Sequence, residues 1–295
     1  MFLDLFRKKM SPKNPQKYKV QLGRICINNQ KIDLRKTAKE YSFCDFVSCD
    51  FSNNNNIYWL QKKKFFQCSF KKVSFGAMAD HGNCFENCLF ECVDFRQSIL
   101  GYDATIYVGC TFLKVKFHSF IKPYFKDCKF INCYFNDVDF NASRFERCDF
   151  NGIVDSAWFR GGFPSKEDVK EFGKAQQNKM KEVSFADTEL HHVHFSDNCD
   201  LSTIILPKRG HYLFFDDWDR QLNAIKKCTV GNINQDIVND INDFTELHKI
   251  YSDSQMYYLI NIVDLEKLYC KLAVDIIRKK ATLEINDGVI TSIVR

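Results

Sequence analysis

The chain has 295 residues, 45% hydrophobic and 27% charged, an ordinary composition that allows one or two domains. No apolar run reaches the roughly 18 residues that a membrane-spanning helix needs, so a helical transmembrane segment is excluded. The net charge of +5 is uneven: residues 1–40 carry +8, residues 41–206 carry −2 and residues 207–295 carry −1, so the body of the protein is close to neutral.

Residues 1–17 are basic, contain Pro12 and Pro15 and show no periodicity, which predicts a solvated arm. The start, MFLDLFRKKM, carries Asp4 inside its apolar patch and no cleavage-like site, so no secretory signal is expected. Tyr18, Val20, Leu22, Ile25, Ile27, Ile32 and Leu34 then alternate with polar residues, and Asn28-Asn29 marks a turn. This predicts a short antiparallel cap within residues 1–38.

From Lys39 the chain reads in fives. KEYSF, CDFVS and CDFSN are followed by a polar break at Asn54–Ile57, and the fives resume from Tyr58. The longest unbroken stretch is CKFIN, CYFND, VDFNA, SRFER, CDFNG, with Phe130, Phe135, Phe140, Phe145 and Phe150 at one interval. Two residues before each stands a small residue: Cys128, Cys133, Val138, Ser143 and Cys148. A period of five is neither the 2.0 of a strand nor the 3.6 of a helix. It requires a chain that turns at every repeat, hence a solenoid with one continuous core. Asp80 and Thr105 are misfits at inward positions. Residues 158–182 lose the frame and are read as an insertion, with Ser165 as the N-cap of a helix continuing toward Glu182. The fives return until Leu206, giving a solenoid over residues 39–206 of roughly 25 repeats. Pro207 and Gly210 end it.

Residues 207–295 read as mostly helical. One helix is predicted from Asp216 or Asp217 to Lys227, a second from Asn234 to Tyr251, and a third, long one from Ser252 or Asp253 to Lys280. The third carries Ile262, Leu265, Tyr269, Leu272 and Ile276 as a stripe suited to the core or to homodimer pairing. A hairpin is predicted across Asn286-Asp287-Gly288.

The small–polar–Phe/Leu–x–x unit resembles the pentapeptide-repeat family. The resemblance implies a mainly β fold, a right-handed quadrilateral parallel β-helix with four repeats per coil. The Cys- and Phe-rich repeats resemble the branch that protects DNA gyrase and other topoisomerases from quinolones, some of whose members imitate DNA with an acidic surface.

Candidate chemistry is sparse. There is no Gly-rich phosphate loop, GxSxG or HExxH, so no catalytic residue, cofactor or metal site is assigned. Nine of the 14 cysteines (Cys44, Cys49, Cys68, Cys88, Cys110, Cys128, Cys133, Cys148 and Cys199) fall in the small inward slot and are expected as reduced thiols of a cytoplasmic protein. Cys84 and Cys92 point outward. His191, His192 and His194 are expected to be solvated histidines. Asp45, Asp50, Asp94, Asp139, Asp149 and Asp200 precede central positions and are read as turn formers. Trp158, Phe159, Arg160, Phe163 and Phe172 have the composition of an interface hot spot and are the candidate binding residues.

The reading is therefore a non-enzymatic scaffold for a macromolecular protein partner, of the kind used in bacterial immunity, defence or effector action. No small-molecule substrate is expected. The near-neutral rod argues against a DNA mimic, which needs a negative stripe. The competing class is the targeting arm of an effector or toxin, with Cys228 or Cys270 as nucleophile in a small C-terminal active region.

Overall fold

A side chain that returns to the core every five residues needs a corner in each repeat. The computed structural model describes residues 18–21, 24–32, 44–54, 62–75, 80–102, 104–231, 234–252 and 255–293; the basic arm and most of the asparagine break lie outside them. In repeat after repeat a buried aromatic sits between more open residues, and the residue two positions on takes a left-handed conformation. Examples are Gln67 (φ 52°), Lys72 (φ 52°), Asn87 (φ 53°), Cys92 (φ 53°) and Asp127 (φ 53°). Such backbone costs an L-residue about 1–2 kcal/mol. The corner N–H offsets this by extending the ladder to the next coil. Gln67 N donates to Glu86 O (2.8 Å), Asn87 N to Val108 O (2.8 Å) and Asp127 N to Glu146 O (2.9 Å). Gly109 fills the same corner at φ 63°, where a Cβ would lie 2.3 Å from Asn87 Oδ1.

The coils stack as parallel strands on four faces. The first face pairs Arg24–Asn28, Cys44–Val47, Lys64–Phe66, Cys84–Glu86, Ile106–Val108, Tyr124–Lys126 and Arg144–Glu146 in order, with Tyr18–Gln21 antiparallel at the outer edge. The second pairs Ser69–Lys71, Leu89–Glu91, Thr111–Leu113, Lys129–Ile131, Asp149–Asp155 and Ser184–His191. The third is a run of single bridges through Ser74, Asp94, Lys116 and Tyr134. The fourth pairs Ile99–Leu100, Ser119–Phe120, Asp139–Phe140, Trp158–Arg160 and His194–Ser196. The period predicts a solenoid, and this is the parallel β-helix that the family resemblance implies. Its start differs from the expected Lys39. Ile27 pairs with Phe46 and Lys31 bridges to Asp50, with Ile27 and Ile32 buried, so the first rung lies inside the expected cap, and of the cap's described residues Tyr18–Gln21 alone runs antiparallel to it.

In-register stacking puts like on like. Phe65, Phe85, Tyr107, Phe125 and Phe145 form one column with ring centroids 4.5–5.2 Å apart. Phe51, Phe70, Phe90, Phe112, Phe130 and Phe150 form the next at 4.6–4.9 Å. Beside them the small slots make a column of free, buried thiols: Cys49, Cys68, Cys88, Cys110, Cys128 and Cys148. Each turns its S–H to a carbonyl of the neighbouring coil, as from Cys110 to Phe85 O (3.4 Å) and from Cys128 to Tyr107 O (3.4 Å). Burial pushes the Cys110, Cys128 and Cys148 thiols well up, which keeps them protonated and poorly nucleophilic.

The two misfits meet. Asp80 is buried, and its carboxylate accepts from Tyr107 Oη (2.6 Å) and from Asn83 Nδ2. Thr105 Oγ1 donates to Asp80 O (3.1 Å) and accepts from Asn83 N (3.1 Å). Burial outweighs these bonds and raises the Asp80 pKa from 3.8 to about 6. The native state therefore holds a proton that the unfolded chain has released. Stability present below the unfolded pKa is lost as pH rises through about 6. At about 1.4 kcal/mol per pKa unit the loss approaches about 3 kcal/mol. The stability gap between wild type and Asp80→Asn, followed by urea unfolding from pH 4 to pH 7, should shift against wild type by that order. A constant gap refutes the assignment.

Beyond the last coil the chain forms a four-stranded antiparallel sheet in the order Tyr258–Asn261, His211–Phe215, Leu283–Asn286, Val289–Ser292. The last two strands are the expected hairpin. Helix α1 (Lys166–Phe172) belongs to the excursion described below. Helices α2 (Trp218–Lys226) and α3 (Gln235–Ser252) match the two expected helices closely. The long third helix does not exist. Its span holds the strand Tyr258–Asn261, α4 (Ile262–Leu268) and α5 (Lys271–Arg278). The strand is fully buried against His211–Phe215, and Asn261 caps α4 by accepting from Val263 N (2.9 Å). A second break falls at Tyr269, extended at φ −128°, before Cys270 N donates to Asp240 Oδ2 (2.7 Å). Ile262 and Leu265 face the core while Leu272 is exposed, so the expected stripe is divided between core and surface.

This unit closes the rod. The Gln255 amide accepts from Cys199 N (3.0 Å) and donates to Cys199 O (2.7 Å), as a further strand would. Tyr212 Oη accepts from Leu190 N (3.0 Å), and Asn261 Nδ2 donates to Leu190 O (2.8 Å). An open β-helix end would otherwise leave such groups unpaired. His191 is part of this junction rather than solvated, its Nδ1 lying 3.3 Å from Asp264 Oδ1, whereas His192 joins it only through its backbone N, which donates to Asp264 Oδ2 (2.9 Å), and its ring is exposed as expected.

Candidate interaction site

The five candidate binding residues divide between the rod and an appendage. The frame places the insertion at 158–182, but Trp158–Arg160 is a strand of the fourth face, paired with Asp139–Phe140 on one side and His194–Ser196 on the other. Phe159 is fully buried and stacks on Phe140 (4.6 Å) and Phe195 (5.6 Å), so it is part of the core. The overlooked signal is Ala157-Trp158-Phe159, one more small–x–Phe unit, displaced because Val154 already takes the inward position before it.

Arg160, next to Phe159, turns along the fourth face. Its Nε donates to both carboxylate oxygens of Asp139 (2.9 Å each), and its Nη1 donates to Asp197 Oδ2 (2.9 Å). Its guanidinium lies 3.7 Å from the Trp158 ring, whose Nε1 donates to Ser196 Oγ (2.7 Å). Asp139 is thus more than a turn former. Burial raises its pKa, and Arg160 works against that rise. Sequence reasoning missed Asp139, Ser196 and Asp197 because they meet Arg160 only after the coils stack.

The excursion proper leaves at Gly161 and returns at Asn178. Gly161 O accepts from Asn178 N (2.9 Å), so the two ends are one hydrogen bond apart. Gly161 lies so close to the neighbouring coil that a Cβ would fall 2.1 Å from Asp197 O. Asn178 and Met180 are rod residues. Asn178 Oδ1 accepts from Phe145 N (3.1 Å), and Met180 is fully buried. The helix therefore stops far short of Glu182: α1 ends at Phe172, with Gly173 at φ 74°. Its start is as expected, Ser165 Oγ accepting from Asp168 N (3.0 Å).

Phe172 anchors the appendage. It packs edge-on to Tyr102 (5.8 Å) and stacks on Phe163 (5.8 Å), and its carbonyl accepts from Lys122 Nζ. Arg144 Nη1 donates to Gln176 Oε1 farther along. The contacts of the excursion among the described residues are with the rod. No residue of α1 is buried, and Val169 is exposed on it.

Other candidates resolve more simply. Cys84 is half-buried and Cys92 exposed. Cys228 donates to Ala224 O (3.4 Å), and neither it nor Cys270 has a histidine hydrogen-bond partner among the described residues. No helix among the described residues is long and apolar enough to cross a membrane.

The five-residue period, the four faces and the stacked aromatics define a parallel β-helix, closed by a C-terminal unit of helices on a four-stranded sheet. No family model and no curated protein matches the chain. Among solved structures it resembles QnrB1, described as a plasmid-mediated fluoroquinolone resistance protein. A trypsin-treated QnrB1 variant matches at 14% identity over 58% of this chain and 90% of that one, with a TM-score of 0.29. Full-length QnrB1 matches at 13% identity over 58% and 92%, with a TM-score of 0.25. Similarity at this level says nothing of a partner.

Proposed function

We propose that the protein is a non-enzymatic scaffold that recognises a protein partner through residues 162–177 and the fourth face beside them. The observation that carries this reading is an appendage that both begins and ends at one backbone hydrogen bond and buries none of its own helix. Such a segment contributes little to the core, and long excursions from compact elements are usually functional. Phe163 and Phe172 hold it in place, Val169 is offered outward, and Trp158 with Arg160 forms the platform below. A role in immunity, defence or effector action, in a reducing compartment suited to the free thiols, is consistent with this scaffold.

Replacing residues 162–177 by a short Gly linker tests it. We expect the melting temperature to change little and a partner captured from native cells by the full chain to be lost. Retained capture, or an unfolded rod, overturns the reading. Topoisomerase protection is a separate outcome of the same capture. Several acids of the rod meet cations, as Glu91 meets Lys71, Asp94 meets Arg96 and Asp127 meets Arg147, and the net charge of residues 41–206 is only −2. Competition with DNA for gyrase that weakens steeply with salt is therefore not expected, and finding it would favour the topoisomerase reading.

A further inference from the structure

A cavity of about 180 Å³ lies where the C-terminal unit meets the last coil. Its wall is chiefly apolar, with Val193 of the rod facing Leu247, Ile260, Leu265 and Tyr269. Leu247 and Leu268 at its rim are exposed, so it opens to solvent. Most polar groups around it are engaged with one another. Asp264 receives His192 N and Lys267 Nζ (3.2 Å), Asn261 spans Leu190 O and Val263 N, and Tyr258 Oη meets His194 Nδ1 (3.1 Å).

His248 is the exception. It sits on α3, is 6% exposed and forms part of the cavity wall. Its Nδ1 bonds to Phe244 O (2.9 Å), and because a carbonyl only accepts, Nδ1 carries the proton. Its Nε2 has no hydrogen-bond partner among the described residues. The ring is wedged among Phe244, Trp218 and Tyr258, with centroids 4.4, 5.7 and 5.6 Å away, and cannot turn to seek one. Burial lowers the His248 pKa to about 4, so at neutral pH Nε2 is an uncharged acceptor.

We propose that this cavity binds a small, uncharged aromatic molecule with one hydroxyl or N–H donor, which His248 Nε2 accepts. The size follows from the volume, since a cavity of about 150 Å³ holds one benzene ring. The largely apolar wall disfavours a charged ligand, which would lose its hydration, and the Asp264 carboxylate in the lining is already engaged by His192 N and Lys267 Nζ. The unmatched acceptor Nε2 selects a donor. The site is independent of the partner-binding appendage, which lies on the rod.

Calorimetric titration of the full chain with phenol and with toluene, the same shape without the hydroxyl, tests this. Phenol should bind saturably and toluene about fivefold to tenfold more weakly, the ratio that one net hydrogen bond supplies. His248→Phe should abolish the difference. Leu247→Trp, at the rim where folding is not at stake, should block phenol. The proposal is overturned if wild type shows no saturable phenol binding or binds both probes equally. It is also overturned if Leu247→Trp binds phenol as well as wild type, or if folded His248→Phe keeps the preference.

Discussion

Replacing Phe135 by alanine is expected to cost about 3–5 kcal/mol of unfolding free energy, the range for removing a buried aromatic and leaving its cavity. Phe135 is 3% exposed, stacks on Phe117 (5.4 Å) and packs against Phe130, Phe140 and Phe150. The coils above and below are held to the same hydrogen-bond ladder, so they cannot close over the void. A solenoid is stabilised by contacts between neighbouring repeats, and this loss falls on the coupling between coils, so unfolding should also become less cooperative. Asn136, the next residue, is exposed, and Asn136→Ala should lie within about 0.5 kcal/mol of wild type. Urea unfolding of the two variants measures the contrast; equal effects would mean that inward and outward positions have been misassigned.

Arg160→Ala is expected to cost about 2–3 kcal/mol. Breaking a fully buried ion pair costs about 3–5 kcal/mol, but the Asp139 side chain is 44% exposed and water replaces part of what it loses. Asp197, at 26%, is less accessible. Without the guanidinium these two carboxylates repel one another, and the Trp158 ring loses the group lying on it. Arg160→Lys should recover only part of the loss, because an ammonium cannot grip both Asp139 oxygens from one side while reaching Asp197. The penalty should shrink as pH falls and the carboxylates become neutral. Guanidinium chloride is unsuitable for this measurement because it screens the charges, so urea unfolding at pH 7 and pH 4 is the check. A variant as stable as wild type at pH 7 would show that the cluster is a surface ornament.

How much was legible in advance follows from the range over which each signal acts. A five-residue period reports whether a side chain faces in or out within its own coil. Reading it therefore placed Phe130 to Phe150 in the core, assigned the small slots to buried thiols and identified a solenoid, while the four-sided β-helix followed from the family resemblance. Helix α3 and the closing hairpin were likewise legible, because caps, apolar spacing and an Asn-Asp-Gly turn act over a few residues. What the period cannot carry is which coil lies beside which. Trp158–Arg160 looked like an insertion because a four-residue step precedes it, and only pairing with Asp139–Phe140 returns it to the rod. Ile27 looked like part of a cap until Phe46 lay beside it. The long C-terminal helix was the favoured local reading, yet burying Tyr258–Asn261 against His211–Phe215 and closing Cys199 with Gln255 outweighed helix propensity. Asp80 with Tyr107, Arg160 with Asp139 and Asp197, and the cavity around His248 exist only through such long-range meetings. Local periodicity thus determined the coil, whereas the tertiary structure decided the register between coils, the closing unit and every polar constellation, because those depend on hydrogen bonds between residues far apart in the chain.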